Sequence, residues 1–505
     1  MTAQTTAARA PRPRTPGRST PPLRLTVRRP EEVTREAVRG LADGRPELSA
    51  EHTLTRTQGR GLVATGIGLV VVLTIFPVLT LQCLMGLATA MYFASLGYRL
   101  AAIRRGMREN TMVSVSDEVA LAAAPARLPR YTVLVPAYHE AEVIKDLLAS
   151  IASLDYPPNK LQVLVLVEPE DKATLAAVRA AEPPRYVRVM VVPQSQPRTK
   201  PKACNVGLAF ATGELITIFD AEDRPEPLQL RRAAVALENL PAHVVCLQSR
   251  LGYYNGKQNL ITRWFTGEYA TWFGHLLPGV VSLGAPLPLG GTSNHMRVDV
   301  LRELGGWDPF NVTEDADLGI RLHRSGYRTM VLDSLTLEEA NSDFVNWAKQ
   351  RSRWYKGYLQ TWLVHMRHPG TVRRQIGWRG LLGLNLFVAG TPLLALINPI
   401  FWFMVLLFFV GRVHGVATLF PAPVYYPAMI CWLFGNTAVV YFGVLSLRAI
   451  GRQDLVPAAI VIPLYWVMMS IAAAKAALQL ALTPSFWEKT THGLLHTARR
   501  PESGT

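Results

Sequence analysis

The sequence predicts an α/β domain with a mostly parallel, Rossmann-like sheet, inserted between transmembrane α-helices. Long uncharged apolar blocks stand near both ends of the chain, with basic residues beside them. Between those blocks charge returns, and short β-branched runs alternate with helical stretches. The first pattern is that of a membrane protein, the second that of a sheet with helices on both faces. The chain has 505 residues, 49% of them hydrophobic and 18% charged, with a mean hydropathy of +0.15. Such a composition excludes a mainly disordered or collagen-like chain. A formal net charge of +16 suits nucleic acid or a membrane. The basic residues cluster against the apolar blocks, so a lipid bilayer is expected and nucleic acid is not. The four cysteines, at 83, 204, 246 and 431, have neither the number nor the spacing for a disulfide framework or a structural zinc site.

Residues 1–57 are rich in Pro, Thr, Ala and Arg and read as a disordered basic tail with affinity for anionic headgroups. It lacks the apolar core of a cleavable signal peptide. Residues 58–103 predict a transmembrane hairpin, since no charge occurs from Gly61 to Tyr98 and Pro77 falls near the middle. Arg99, Arg104, Arg105 and Arg108 then assign both ends to the cytoplasm of a multi-pass inner-membrane protein. Residues 104–343 are expected to be a cytoplasmic domain, 344–380 amphipathic interface helices, 381–483 three to four further spans, and 484–505 a cytoplasmic tail. The block Leu381–Gly411 contains Asn398-Pro399. A tight turn there gives four C-terminal spans and six in all; a single kinked helix gives three. No internal repeat is visible, which disfavours a transporter built of paired halves. No appended cyclic-dinucleotide-binding domain is expected after the last span.

In open α/β sheets ligands sit beyond the C-terminal ends of the strands. That directs attention to the residues after Val135, Val167, Val192 and Phe219. The first strand, YTVLVPAY, ends in Pro136, Tyr138 and Glu140. The second, LQVLVLVE, ends in Glu168, Glu170 and Asp171. Carboxylates here suit the base and ribose of a nucleotide. Lys200-Pro201-Lys202 opens a helix, a place that suits phosphate. Asp220, Glu222 and Asp223 end the strand LITIF. Carboxylates so crowded repel one another unless they share a hard cation, and Mg²⁺ or Mn²⁺ would keep its remaining positions for diphosphate and water. Thr313-Glu314-Asp315 precedes a helical stretch, and Gln350-Arg351-Ser352-Arg353-Trp354 lies beside the second membrane block.

Taken in order, the acidic cluster, TED and QxxRW between membrane helices resemble the processive membrane glycosyltransferases of family 2. These include cellulose, hyaluronan and mixed-linkage β-glucan synthases. The resemblance covers roughly residues 61–495 and includes Gly290-Gly291-Thr292-Ser293-Asn294-His295. It implies a GT-A glycosyltransferase domain. It implies Asp315 as the general base, and Asp220 and Glu222, helped by Asp223, as ligands to Mg²⁺ or Mn²⁺. It assigns donor binding to Pro136, Tyr138, Glu140, Glu168, Glu170, Lys202, Asp220 and Arg353. It assigns acceptor binding to Glu314, Gln350, Trp354, Thr292, Ser293 and Asn294. The usual pair of aspartates at the second strand end is replaced by Glu168-Pro169-Glu170-Asp171, which leaves open which acid meets the uridine.

The implied partners are a UDP-sugar donor, a growing glycan acceptor, the bilayer and export-system subunits. The implied activity is inverting polymerisation of a UDP-sugar, UDP-glucose by resemblance, into a β-linked glycan that is moved across the membrane. The alternative is transfer of one sugar to a lipid acceptor; a third reading is a non-enzymatic scaffold or transporter. Cys204 and Cys246 read as reduced core thiols. His295 reads either as an acceptor contact or as a satisfied loop histidine, and Lys475, inside an apolar stretch, as a functional candidate or a snorkelling cation.

Overall fold

A computed structural model describes residues 29–109, 111–484, 486 and 488. Its centre is one eight-stranded sheet: β1 (Tyr131–Ala137), β2 (Leu161–Val167), β3 (Val187–Val191), β4 (Leu215–Ile218), β5 (Arg224–Pro225), β6 (Val244–Tyr253), β7 (Asn294–Arg297) and β8 (Arg328–Glu338). The spatial order is β3-β2-β1-β4-β7-β6-β8-β5. Strands β3, β2, β1 and β4 are parallel, as are β6 and β8. Strand β7 runs antiparallel between β4 and β6. The central strands are apolar on both faces because helices cover both. Leu134, Leu164 and Ile216 enter one core, and Val133, Val163 and Leu215 the other, as the two-residue period of a strand requires.

The helices that frame the sheet are α1 (Pro30–Gly44), α2 (Arg56–Ile75), α3 (Pro77–Glu109), α4 (Lys200–Ala209), α5 (Leu260–Thr271), α6 (Glu314–Arg324) and α7 (Phe344–His365). They are followed by α8 (Pro369–Phe409), α9 (Ala422–Ala449) and α10 (Ile462–Leu482). The ordered N-terminal helix departs from the disordered tail expected over 1–57. Helix α1 starts with Pro30 and two glutamates and buries Val33, Ala37, Val38 and Leu41. That i, i+4, i+5, i+8 stripe is covered by α4 and by the loop at Gly305, which supplies the apolar surface that a tail in solvent lacks. Two 3₁₀ turns, Pro46–Leu48 and Ala50–His52, lead on to α2. Residues 1–28 of that expected tail lie outside the described residues, as does most of the expected tail 484–505.

Among the described residues, five helices are long and apolar enough to cross a membrane. Of the two alternatives at Asn398-Pro399, a tight turn or a single helix, the structure has the helix, with Pro399 in the interior of α8, so three such helices follow the domain among the described residues. A proline is tolerated inside a membrane helix when neighbouring groups satisfy the carbonyl it leaves free. Helix α3 runs straight from apolar sequence into the α/β domain. It crosses the short helix Leu277–Ser282 in backbone contact. A Cβ on Gly106 would fall 1.8 Å from the His275 carbonyl oxygen, and one on Gly279 would fall 1.7 Å from that of Ala102.

Candidate active site

The ends of β1, β2, β4 and β8 meet at one cavity of about 500 Å³. Pro136, Tyr138, Glu140, Glu168, Asp220 and Glu222 line its sheet side. Lys200, Thr292, Glu314, Asp315 and Glu338 line its middle, and Gln350, Arg353 and Trp354 the side toward the membrane helices. The cavity continues past Tyr269 to Arg99, Thr391, Asn398, Asn436, Tyr465 and Trp466. Residues from four separate motifs, spread over more than 200 positions of sequence, thus share one wall.

Five of the residues expected to touch ligand do not line it. Lys202 is fully buried and pairs with Glu168 at 2.8 Å, while Lys200, two residues earlier, faces the cavity. Two residues along a helix turn a side chain by about 200°, so only one of these lysines can do so. Lys200 Nζ donates to Asp220 and, at 2.8 Å, to the Gly291 carbonyl. Glu170 turns outward to Arg198 at 2.9 Å. Asp223 is buried: its Oδ2 accepts from the Asp220 N–H at 2.7 Å and from the Thr292 hydroxyl. It shapes the acidic turn from behind. Ser293 donates to Thr336 Oγ1 at 2.8 Å inside the sheet, and Asn294 donates to the Gly290 carbonyl at 2.9 Å. These two fix the Gly290-Gly291 loop.

Asp315 stands in the first turn of α6, where its Oδ1 accepts from the Ala316 N–H at 2.8 Å. A Cβ placed on Gly291 would lie 3.4 Å from Asp315 Oδ2 and 3.7 Å from Lys200 Nζ. A cation and a carboxylate thus converge on Gly291. Helix α7 approaches more closely still, since a Cβ on Gly357 would fall 2.3 Å from Thr313. That contact sets the QxxRW helix directly against TED. Burial, then the Asp315 charge, pushes the Glu314 carboxyl up to about 8. Burial also raises Asp315, against the pull of the Ala316 N–H, Lys200 and Arg353. Burial works against the charge of Lys200, but Asp220 and Glu314 outweigh it and hold the ammonium above its ordinary range.

Sequence reasoning passed over three features of this wall. Lys200 lay in the same tripeptide as the residue chosen. Glu338 ends a β-branched run as the other acidic residues do, and the strand-end rule applied once more would have found it. Arg351, inside QxxRW, is buried and holds Glu268 of α5 through two bonds of 2.8 and 2.5 Å, with the Tyr465 hydroxyl at 3.0 Å. It joins α5, α7 and α10. Trp354 stacks on Tyr269 with ring centres 6.5 Å apart, and Gln350 Oε1 accepts from Asn341 at 2.9 Å. His295 lies buried, 2.7 Å from the Tyr131 hydroxyl and 3.1 Å from Ser249 Oγ, and burial pushes it down to about 3. It is a structural histidine. Lys475 pairs with Glu488 at 2.7 Å.

The acidic turn suits a divalent cation that completes its shell from a ligand. Asp220 and Glu222 line the cavity, and Asp223 Oδ1 is buried without a hydrogen-bond partner among the described residues. No group of three or more His, Cys, Asp or Glu among those residues forms a cage by itself. Mg²⁺ and Mn²⁺ at a diphosphate need only one or two protein carboxylates.

Residues 129–357 match the family described as "Glycosyltransferase like family 2". The chain is 26% identical over 233 residues to "Probable glycosyltransferase YdaM" of Bacillus subtilis, covering 46% of this chain and 55% of that protein. It is 28% identical over 270 residues to the beta-monoglucosyldiacylglycerol synthase of Synechocystis, covering 53% and 55%. It is 25% identical over 304 residues to the glucomannan 4-beta-mannosyltransferase 7 of Arabidopsis thaliana, covering 57% and 54%. The chain therefore spans about half the length of these curated relatives. Among solved structures, a mannosyltransferase of Pyrobaculum calidifontis in complex with GDP-Man and Mn²⁺ aligns with a TM-score of 0.48 at 21% identity, over 76% of this chain and 99% of that one. Residues 129–357 thus match a family-2 glycosyltransferase model, and the parallel sheet with its reversed β7 has the GT-A-like glycosyltransferase fold.

Proposed function

We propose that this protein is an inverting glycosyltransferase that polymerises a UDP-sugar, UDP-glucose in the first instance, into a β-linked glycan and passes the product between its membrane helices. The observation that carries this reading is the unbroken cavity. It runs from the carboxylates at the sheet to Asn398, Asn436 and Trp466 among the apolar helices. Aromatic faces bind sugar rings, and amide groups bind hydroxyls. A path lined in this way suits a chain of sugars.

The nucleoside lies at Pro136, Tyr138, Glu140 and Glu168, and Lys200 and Arg353 face the diphosphate. Asp220 and Glu222 would hold Mg²⁺ or Mn²⁺, which when bound would supply positive charge to the leaving diphosphate. Asp315 accepts the proton of the acceptor hydroxyl as its oxygen bonds to the anomeric carbon. The bond from that carbon to the diphosphate breaks, and UDP departs with the electron pair. One displacement inverts the centre, so an α-linked donor gives a β-linkage. Trp354, stacked on Tyr269, offers its ring to the acceptor sugar. The catalytic domain faces the cytoplasm, where nucleotide sugars are made.

A second reading, transfer of one sugar to a lipid, has its own observation. Arg99 lines the membrane part of the cavity and donates to Thr391 at 3.0 Å. A cation at that depth suits a headgroup. The two readings part on product size. Purified protein in nanodiscs is given radiolabelled UDP-glucose, UDP-N-acetylglucosamine or GDP-mannose with Mg²⁺ or Mn²⁺. A high-molecular-weight product cut by β-glucanase is expected, and a lipid bearing one sugar refutes polymerisation. Asp315→Asn should abolish turnover while leaving the melting temperature unchanged; normal turnover by that variant overturns the assignment of the base.

A further inference from the structure

The loop Gly305–Thr313 delivers Asp315 to the cavity; Asn205, Arg321 and Gln360 hold its backbone, and the N-terminal segment holds the side chain at its middle. Asp308 is fully buried in its middle. The Asp308 carboxylate accepts from the Ala50 N–H at 2.5 Å, from Ser49 Oγ at 3.3 Å and from the Phe310 N–H at 3.1 Å. Ser49 and Ala50 belong to the pair of 3₁₀ turns between α1 and α2, and both are themselves buried.

The same turns are gripped from the other side by the QxxRW helix. Arg367, just beyond the end of α7, donates to the carbonyls of Pro46 at 2.9 Å and Ser49 at 3.0 Å, and also to that of His52. Gln360, within α7, donates to Thr53 Oγ1 at 3.1 Å and to the Phe310 carbonyl at 3.2 Å, and accepts from the Val312 N–H at 3.1 Å. Asn205 of α4, the helix that carries Lys200, donates to the Ala37 carbonyl of α1 at 2.9 Å and to that of Trp307 at 2.8 Å. The segment 37–53 therefore touches the helices that bear Lys200 and Arg353 and the loop that leads to Asp315. It reaches none of their reacting atoms.

We infer that residues 45–53 act as a strap that sets the distance between the TED loop and the QxxRW helix, with Asp308 as its positioning residue for the Asp315 carboxylate. Buried hydrogen bonds to a charged acceptor are short and directional, so the strap fixes the loop rather than merely covering it. A displacement of about 1 Å at a reacting group costs on the order of 10²-fold in rate. The strap leads directly into α2, so the register of the first span and the placing of Asp315 are tied to one short segment. The inference rests on the reading of Asp315 as the base.

The test uses the full chain in nanodiscs and four variants. Asp308→Asn keeps shape and one acceptor oxygen but loses the charge. Ala50→Pro removes the N–H that Asp308 receives and leaves the TED loop untouched. Arg367→Lys keeps charge but loses the planar fork that meets three carbonyls. Asp315→Asn is the control. kcat, the KM for the UDP-sugar, UDP affinity and the melting temperature are measured for each. The first three variants should lose at least tenfold in kcat, with KM and UDP affinity within twofold of wild type, because the donor cradle lies on β1 and β2. If any of them folds with wild-type kcat, the strap does not position the base. If kcat, UDP affinity and melting temperature fall together in all three, the strap is only a stabiliser, which also overturns the inference. Wild-type turnover by Asp315→Asn refutes the base assignment instead, so the two failures are separable.

Discussion

Replacing Lys200 by Met separates the lysine that faces the cavity from the one that does not. The Lys200 side chain is 20% exposed and its partner Asp220 33%, a partly solvated setting for which an effective dielectric of about 20 is appropriate. A cation about 4 Å from a diphosphate charge there contributes roughly 4 kcal/mol. Loss of one preorganised donor to developing charge costs about 2.7–4 kcal/mol, or ~10²–10³ in kcat. The two figures agree, so Lys200→Met should lower kcat about a hundredfold. The Asp220 carboxylate left behind is open to water, and the melting temperature should hardly move. Lys202→Met is the opposite case. Lys202 is 0% exposed and Glu168 10%, so removing the cation strands a buried carboxylate. That costs about 3–5 kcal/mol, roughly 6–20 °C in melting temperature for a domain of this size. UDP release from UDP-glucose, followed beside thermal melts, reads both effects. A folded Lys200→Met enzyme within threefold of wild-type kcat would refute the assignment of Lys200 to the diphosphate.

Two more outcomes follow from the same wall. The folded Glu314 carboxyl is pushed up to about 8, from an ordinary 4.5, by burial and then by Asp315. The folded state therefore holds the proton that the unfolded chain releases. Stability should fall as pH rises from about 4.5 to about 8 and level off above that, and melts of Glu314→Gln across pH 5–9 should lack this slope. Glu268→Gln breaks the two-bond pair with Arg351, whose side chain is 6% exposed. A loss of about 3–5 kcal/mol is expected in chemical denaturation, and a loss below 1 kcal/mol would show that the pair is hydrated.

The strands were legible because burial on both faces leaves so plain a trace in sequence: YTVLVPA and LQVLVLV have few other uses. The carboxylates at their ends followed from the topology that such runs impose. The choice between Lys200 and Lys202 was not legible. Helix α4 is buried nearly all round, so no polar face marks which lysine meets water. Helix α1 was hidden for a different reason. Its stripe of Val33, Ala37, Val38 and Leu41 is present in the sequence, but its residues are small and the surrounding arginines and prolines dominate the local composition. The continuity of α8 through Pro399 depends on what surrounds the helix, which local sequence does not carry.

The glycine pair that lets α3 and the helix Leu277–Ser282 touch backbone to backbone has a mechanical consequence. With no side chains between them, the two rods cannot slide or roll without their carbonyls colliding. The α/β domain is therefore clamped to its second span and not hung from it. Rocking of the whole domain about that helix, as on a tether, is closed to this molecule. Any widening of the cavity must come from the apolar helices that line it elsewhere: α8, α9 and α10, moving past a domain and a helix that travel as one body.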